Sequence, residues 1–237
     1  MLRTIFAFMK VVLYLISIEP KYWKIKRLER EGRIAEKDAI LMKITKDIAG
    51  SVLSTLKIQV EVEGKEQIPT DGTPYILTPN HSSILDFPVL FQALDQVTGF
   101  VSKIENKKIP FIGRWISLIY SIYIDRSSPR SAVKSFQVGV EMIKSGHPQV
   151  IFPEGTRSRD GKLLEFKAGS YKLAKKADAK VIPVAIVGIH SLSNGGKNVF
   201  KPGTVKVIFF EALDPELDTI EMAEISQKRI AERVHES

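Results

Sequence analysis

The sequence predicts an α/β protein, a mixed β-sheet flanked by helices, preceded by an N-terminal membrane-associating element of two helices. Beyond residue 64, short β-branched runs alternate with runs of helical periodicity, which is typical of an α/β domain. Before that point, one apolar run and one amphipathic run have helical character. We therefore divide the 237 residues into an N-terminal element, residues 1–57, and an α/β domain, residues 58–237, long enough for a substantial core.

Composition excludes some chemistry before any motif is considered. The chain has no cysteine, which excludes disulfides, thiolate nucleophiles and cysteine metal sites. Its four histidines are scattered rather than grouped with carboxylates at the spacing of metal ligands, so no metal is expected. The formal net charge of +8 indicates an anionic partner: a membrane surface, an acidic protein, a phosphorylated substrate or nucleic acid.

The first apolar run, residues 2–18, is expected to lie in or dip into one leaflet of a membrane. It is shorter than the roughly 20 residues that span a bilayer, and Lys10 falls near its middle. The alternative is a secretory signal peptide, which that lysine and the lack of a small-residue cleavage site disfavour. The basic residues 21–33 include Tyr22 and Trp23, and suit either a headgroup layer or a solvated, charged helix face.

Residues 34–56 form the second predicted helix. Apolar residues recur there at helical spacing, with lysines elsewhere on the wheel. Periodicity leaves its packing partner open between the first helix, the α/β domain and lipid.

The alternating pattern that follows predicts the strands of the α/β domain. They are residues 58–62, 75–78, 99–102, 121–124, 149–152, 181–187 and 205–210. Helices are expected between them, among them residues 87–94, 130–144 and 220–235.

The turn between the strand at 75–78 and the helix at 87–94 is the first candidate for chemistry. From position 80 to 86 it reads Asn-His-Ser-Ser-Ile-Leu-Asp. A histidine exchanges protons near neutral pH, and a carboxylate on its other ring nitrogen fixes the tautomer. Two residues that are five positions apart do not lie on the same face of a helix, so a pair of His81 and Asp86 requires one of them outside it. We therefore expect His81 before the helix and Asp86 in its first turn. Ser82 or Ser83 is the expected N-cap. The alternative is a capped junction with an exposed histidine.

Three further stretches follow predicted strands, where loops of an α/β sheet gather ligands. In residues 101–105, Lys103 and Glu105 leave the end of a strand. Residues 123–126 end in Arg126, whose guanidinium suits a phosphate. Residues 152–158 read Phe-Pro-Glu-Gly-Thr-Arg-Ser, where Gly155 allows close backbone approach and Arg157 has paired donors for a phosphate. Any one of these alone is compatible with a turn and a surface salt bridge.

Taken together, these stretches resemble the sequence blocks of the glycerolipid acyltransferases. The turn with His81 and Asp86 resembles the HX4D motif of that family, and residues 123–126 look like its second block. Residues 152–158 match its third block, FPEGTRS, residue for residue. Residues 181–185, a predicted strand with Pro183, are similar to the fourth. The blocks agree in order and spacing, and the resemblance covers residues 58–210.

The resemblance implies an acyl transfer. Members of this family move a fatty acyl group from a thioester to a glycerol hydroxyl, and the chain looks like the bacterial members that acylate 1-acylglycerol-3-phosphate to phosphatidic acid. His81 would then take the proton of the acceptor's 2-hydroxyl as general base, with Asp86 orienting it. Direct attack on the thioester needs no acyl-enzyme. The co-substrate would be an acyl thioester of acyl carrier protein or coenzyme A, and no cofactor is implied.

The same resemblance implies a binding site for the phosphate of the acceptor. Arg126 and Arg157 would hold the phosphate, and Glu154, Gly155 and Thr156 would shape its pocket. Positioning of the acceptor is then the main contribution of the protein.

Two residues have supporting roles in this scheme. Lys103, or backbone N–H groups near the turn, would stabilise the tetrahedral oxyanion. Pro183 would shape a strand edge or the acyl pocket.

The N-terminal helices would hold such an enzyme on the cytoplasmic face of the cell inner membrane, as a peripheral or monotopic protein. The basic surface suits an anionic leaflet and an acidic acyl carrier protein. The choice of donor, the acyl chain length and the oligomeric state stay open.

Three other functions compete with this one. The first is acylation of another lyso-lipid by the same mechanism. The second is a serine hydrolase with Ser82 or Ser83 as nucleophile, although the chain lacks a G-x-S-x-G elbow. The third is a basic nucleic-acid-binding protein, although neither a zinc-finger nor an RNP signature accompanies the charge, and the glycines before Lys197 lack P-loop spacing.

Overall fold

The structure, a computed structural model, describes residues 2–125, 127, 129–194 and 197–234. The helices of these residues are α1 (Leu2–Ser17), α2 (Glu19–Arg30), α3 (Ile34–Leu56), α4 (Asp86–Ala93), α5 (Ile112–Leu118), α6 (Pro129–Lys144), α7 (Lys172–Ala177), α8 (Ile189–Leu192) and α9 (Thr219–Val234). The strands are β1 (Ile58–Glu63), β2 (Tyr75–Pro79), β3 (Gly99–Lys103), β4 (Ile122–Ile124), β5 (Gln149–Val150), β6 (Lys180–Val187), β7 (Ser193–Asn194), β8 (Lys197–Phe200) and β9 (Gly203–Phe209).

Seven of these strands form one mixed sheet in the order β1-β9-β6-β2-β5-β3-β4. The pairs from β6 to β4 are parallel, whereas β9 runs antiparallel to β6 and parallel to β1. The predicted mixed sheet is confirmed, and each predicted strand is present with its ends within two residues. The short ribbon of β7 and β8 was not predicted.

Helices cover both faces of the sheet, which explains why the central strands are apolar on both sides. Every residue of β2 is buried. Leu77 belongs to the core cluster on the side of α3 and α4, and its neighbour Ile76 belongs to the cluster on the side of α7 and α9. This alternation follows from the two-residue period of a strand and is typical of parallel sheets covered on both faces.

The parallel strands place the predicted motifs at one edge of the sheet. Since β2, β5, β3 and β4 all point the same way, the segments after their carboxyl ends meet there. The turn at residues 80–86 follows β2, and residues 152–158 follow β5 after one intervening residue. The sheet therefore brings together blocks that are distant in sequence.

The N-terminal element contains three helices, so the prediction of two helices was wrong. The first apolar run ends at residue 18, and a separate helix, α2, begins directly after it at Glu19. Proline lacks a backbone N–H and has a fixed φ, and both are tolerated in the first turn of a helix, where Pro20 lies. The basic residues after it therefore continue as a helix.

Helix α3 packs against α1 and α4. Its buried residues include Leu41 and Leu53, which belong to the same core cluster as Leu77 of the sheet. The apolar face of α3, for which the sequence left three possible partners, is therefore packed against the protein. The division at residue 57 stays a prediction.

Helix α1 exposes much of its apolar surface. Leu2, Phe6 and Leu13 have exposed fractions of 83%, 54% and 63%, whereas Ala7 and Leu15 are buried against the protein. Within the described residues, no helix is both long and apolar enough to cross a membrane.

Candidate active site

A histidine and a carboxylate form a hydrogen-bonded pair in the turn after β2. The Nδ1 atom of His81 lies 2.7 Å from Oδ2 of Asp86, which is completely buried, while 12% of the His81 side chain is exposed. Because a carboxylate only accepts hydrogen bonds, Nδ1 carries the proton and Nε2 is left as the basic nitrogen. This arrangement can remove a proton from a hydroxyl group.

Backbone amides hold the carboxylate of this pair. Oδ2 of Asp86 accepts hydrogen bonds from the N–H groups of Ser82 at 3.0 Å and Ser83 at 2.9 Å. Asp86 is the first residue of α4, as predicted, but the N-cap is Leu85, so the prediction of a serine cap was wrong. The hydroxyl of Ser83 instead accepts the N–H of Leu85. The carboxylate of Asp86 therefore bonds to the turn before the helix, and Ser83 closes a bond within that turn.

Aromatic rings fix the plane of the imidazole. Phe152 stacks on His81 with ring centroids 3.9 Å apart and an interplanar angle of 22°. Phe87 packs edge-on at 6.0 Å. Three contacts therefore restrain the histidine: one hydrogen bond at Nδ1, one stacked face and one edge-on ring.

A buried glutamate joins the third block to the turn. Oε1 of Glu154 accepts the backbone N–H of His81 at 2.7 Å, and Oε2 accepts the N–H of Leu164 at 3.3 Å. In return, the carbonyl oxygen of His81 accepts the N–H of Ser158 at 2.8 Å. The backbone of the histidine is therefore bonded on both sides to the loop after β5.

Burial raises the pKa of Glu154 to about 7. Only 2% of the residue is exposed, and the nearby charge of Asp86 acts in the same direction. The two backbone hydrogen bonds oppose the shift because they favour the charged form. Glu154 is thus a buried carboxylate that titrates near neutral pH.

The third block divides into a buried and an exposed part. Gly155 has a φ of 71°, in the left-handed region that glycine adopts without strain, and its N–H closes a turn on the carbonyl of Phe152. After that turn, Thr156 and Arg157 are exposed. The predicted pocket residue Glu154 points inward, so it shapes the loop through the backbone. Binding of a phosphate by Arg157 stays a prediction.

The other predicted site residues lie elsewhere on the same sheet. Lys103 ends β3 and is exposed, on the second strand from β2 in the sheet order, and its role stays a prediction. Arg126 lies outside the described residues. Pro183 is buried in β6, opposite Thr78 of β2. Since β6 has a neighbour on each side, the interpretation that Pro183 shapes a strand edge was wrong, and the acyl-pocket interpretation stays a prediction.

One residue that contributes to the site had no predicted role. The side-chain amide of Asn80 pairs with the backbone of Ile186 in β6, donating to its carbonyl at 3.0 Å and accepting its N–H at 2.7 Å. This pairing anchors the start of the turn to the neighbouring strand. The available signal was a polar amide directly after a mostly apolar strand.

The geometry agrees with comparisons of the sequence. Residues 59–187, more than half of the chain, match a family model described as Acyltransferase. The chain is 34% identical to a 1-acyl-sn-glycerol-3-phosphate acyltransferase of Chlamydomonas reinhardtii, over 73% of this chain and 52% of that protein. It is 33% identical to a chloroplastic 1-acyl-sn-glycerol-3-phosphate acyltransferase of Arabidopsis thaliana, over 65% of this chain and 44% of that protein. The chain spans about half the length of these curated relatives.

A solved structure resembles the whole chain. It is the crystal structure of the 1-acyl-sn-glycerophosphate (LPA) acyltransferase PlsC from Thermotoga maritima. The TM-score is 0.76 and the identity 28%, over 99% of this chain and 97% of that chain. The similarity therefore includes the N-terminal helices as well as the sheet.

Proposed function

The chain belongs to the acyltransferase family, and we propose that it acylates the 2-hydroxyl of 1-acylglycerol-3-phosphate to give phosphatidic acid. The observation that carries the proposal is the buried pair of His81 and Asp86, joined by hydrogen bonds to the FPEGTRS loop. The names of the relatives with matching sequence support the acceptor. The donor is a fatty acyl thioester of acyl carrier protein or coenzyme A.

The reaction begins with a proton transfer to Nε2 of His81. As the hydroxyl oxygen of the acceptor loses its proton, it forms a bond to the thioester carbonyl carbon. Collapse of the tetrahedral intermediate breaks the carbon–sulfur bond, and the leaving thiolate takes the proton back from the imidazolium. Asp86 keeps Nδ1 protonated and stabilises the imidazolium through the 2.7 Å contact. No residue of the protein is acylated in this scheme.

The exposed part of the third block is the proposed site for the phosphate. Arg157 lies three residues after Glu154, whose carboxylate is bonded to His81, so the guanidinium belongs to a loop tied to the catalytic turn. An exposed guanidinium can present two N–H donors to a phosphate. Arg126 would contribute a second guanidinium, and Lys103 or a backbone amide would stabilise the oxyanion.

The apolar face of α1 is the proposed membrane contact. Lysophospholipid and product both reside in a bilayer, and the exposed leucines and phenylalanine of α1 suit insertion into one leaflet. The position expected for this enzyme is the cytoplasmic face of the cell inner membrane. The net charge of +8 suits an anionic leaflet and an acidic acyl carrier protein.

Mass spectrometry of lipid products tests the proposal. Purified protein is incubated in detergent with a panel of lysolipids, offering thioesters of acyl carrier protein and of coenzyme A separately. Of the lysolipids in the panel, we expect only lysophosphatidic acid to be acylated, which gives phosphatidic acid. The His81→Ala protein should form no acylated product. Acylation of another lysolipid would keep the mechanism and replace the acceptor. A folded protein that acylates no lysolipid would overturn the proposal.

A further inference from the structure

A cavity of about 270 Å³ lies between α2 and the segment that includes α5. Basic residues from both sides line it: Lys26 from α2, Lys107 from the turn after β3, and Arg114 from α5. Ser117 adds a hydroxyl, and Glu29 is the one acidic residue among the lining residues. The volume has room for a phosphate group with ordered water.

The guanidinium of Arg114 is held in place at this cavity. One terminal nitrogen donates to Glu19 at 2.6 Å, and the group stacks near the rings of Tyr22 and Phe111, each 5.2 Å from the ring centroid. Within the described residues, its buried Nε–H has no hydrogen-bond partner. The guanidinium is therefore a partly exposed cation held in one position at the cavity.

Two lysines complete the positive lining. In the part of the chain that the structure describes, Lys107 is in no ion pair, and its ammonium group lies 5.9 Å from the centroid of the Tyr123 ring. Lys26 pairs with Glu29, whose carboxylate also binds the buried Lys37 at 2.6 Å. Glu29 is shared between two lysines, and Arg114 is paired with Glu19, so Lys107 is the lining cation that has no carboxylate partner within the described residues.

Exposed apolar residues surround this basic cavity. Trp23 follows Tyr22 and packs edge-on to it, with an exposed fraction of 66%. Phe111 and Ile109, on the other side, are 39% and 42% exposed. Phe111 lies beside the guanidinium of Arg114 directly, whereas Trp23 packs on Tyr22, the other ring beside that group. Aromatic rings beside cations are typical of surfaces that meet the headgroup layer of a membrane.

We propose that this cavity is a second anion site, which binds the phosphate of a bilayer lipid that is not the substrate. None of its lining residues bonds to the pair of His81 and Asp86 or to Glu154. The shared chemistry is a phosphate ester; the apolar surround favours a lipid headgroup over a soluble phosphate as its source. The inference goes beyond the proposed acyl transfer, because bound lipid would hold the α2 surface against an anionic leaflet whatever the acceptor.

Vesicle binding of the full chain tests the proposal. The affinity of the protein is measured for vesicles of pure phosphatidylcholine and for phosphatidylcholine vesicles that also contain phosphatidylglycerol. The ratio of the second affinity to the first reports the preference for anionic lipid, because insertion of apolar side chains contributes equally to both. Each basic residue at an anionic surface contributes about fivefold. We therefore expect Lys107→Gln to lower this ratio about fivefold, and the double variant with Arg114→Gln about 25-fold.

A matched double variant separates a site from general charge. Lys176 and Lys228 are exposed lysines on α7 and α9 that form no ion pair within the described residues, and changing both to glutamine removes the same charge. We expect this control to lower the ratio less than about twofold. Equal losses in the two double variants, or no loss with Lys107→Gln, would overturn the proposal.

A titration with soluble phosphate identifies the source. Tryptophan fluorescence is followed as inorganic phosphate or glycerol 3-phosphate replaces chloride at constant ionic strength. Saturation that disappears in the Lys107→Gln variant, without preference for phosphatidylglycerol vesicles, would overturn the assignment to a bilayer lipid and show that the cavity binds a soluble phosphate. Because Arg114→Gln also breaks the bond to Glu19, Lys107→Gln is the deciding variant if the double variant unfolds.

Discussion

Glu154 and Arg157 lie three residues apart in one loop, but their charged groups lie in opposite environments. The carboxylate of Glu154 is buried and bonded to two backbone amides, whereas the guanidinium of Arg157 is exposed. His81 and Asp86 belong with Glu154, because their pair is also largely buried. The site therefore has a buried half, which is already assembled, and an exposed half, which faces the expected ligand.

The difference between the halves indicates which residues serve the chemical step and which bind the acceptor. Groups that are bonded before substrate arrives need no reorganisation during the reaction, so the buried half suits the chemical step. Within the residues that the structure describes, the guanidinium of Arg157 has no ion pair, and an exposed guanidinium of this kind can adapt to a phosphate, which suits binding. We expect changes in the buried half to alter kcat and stability, and changes in the exposed half to alter KM.

His81→Ala should have the largest effect, because it removes the general base. We expect acyl transfer to be abolished and the fold to remain, since the imidazole is partly exposed and the backbone bonds to Glu154 and Ser158 do not need the side chain. Product formation and thermal unfolding are measured together. His147→Ala is the control, because His147 lies before β5, at the opposite edge of the sheet. Full activity of the His81→Ala protein would remove the mechanism.

Asp86→Asn should lower kcat by a factor of about 10³ to 10⁴, the scale found when a triad aspartate loses its charge. Asparagine retains the volume but no longer stabilises the imidazolium or selects the tautomer. We expect KM for the acceptor to change little, because Asp86 is completely buried. Steady-state kinetics checks this, and a change confined to KM would contradict the assignment.

Glu154→Gln should change how stability depends on pH. The pKa of Glu154 is raised in the folded state from the ordinary 4.5 to about 7, so the folded protein binds the proton more tightly than the unfolded chain. The free energy of unfolding should therefore fall as pH rises from about 4.5 to about 7, by about 3 kcal/mol, and stay lowered above that range.

Glutamine cannot ionise, so this slope should disappear in the variant. Urea unfolding at several pH values measures it, with Glu224→Gln, an exposed residue of α9, as the matched control. Identical slopes for wild type and Glu154→Gln would show that the buried carboxylate does not titrate as described.

Arg157→Ala should raise KM for the phosphorylated acceptor by about tenfold or more, because hydrogen bonds to a charged group contribute about 1.5–3 kcal/mol. KM for the thioester and the stability should change less. Kinetics with each substrate varied in turn makes the comparison. Arg159→Ala, a neighbouring exposed arginine, is the control, and equal effects of both variants would contradict a specific role for Arg157.

Phe152→Leu should have the smallest effect. The stacked ring restrains the imidazole plane, and aromatic pairs contribute about 0.5–1.5 kcal/mol, so we expect kcat to fall about fivefold. A change in KM alone would place Phe152 in acceptor binding instead.

The sequence predicted the parts of this molecule that depend on local patterns. Short β-branched runs located the seven strands of the sheet, and the five-residue spacing placed His81 before α4 and Asp86 in its first turn. Local patterns carry this information because strand period and helix register are set by near neighbours. The start of α2 was missed because Pro20 ends one helix or begins the next according to context.

Whether a side chain of the site points inward or outward depends on contacts with residues that are distant in sequence. Local sequence patterns do not show these contacts. Glu154 bonds to an amide 73 residues earlier, and Asn80 pairs with a residue 106 positions later. The N-cap prediction failed because α4 begins only at Asp86, so the hydroxyl of Ser83 bonds to Leu85 in the turn before the helix. Long-range pairing therefore decides which polar groups of a motif are buried.

A rapid-quench single turnover tests most directly whether the buried pair acts on the acceptor hydroxyl itself. Acyl thioester, acceptor and excess protein are mixed, and both lipid and intact protein are analysed by mass spectrometry. We predict that loss of thioester equals formation of phosphatidic acid at every time point, while the mass of the protein stays unchanged. An acyl group that appears on Ser82 or Ser83 before the product forms would contradict direct transfer.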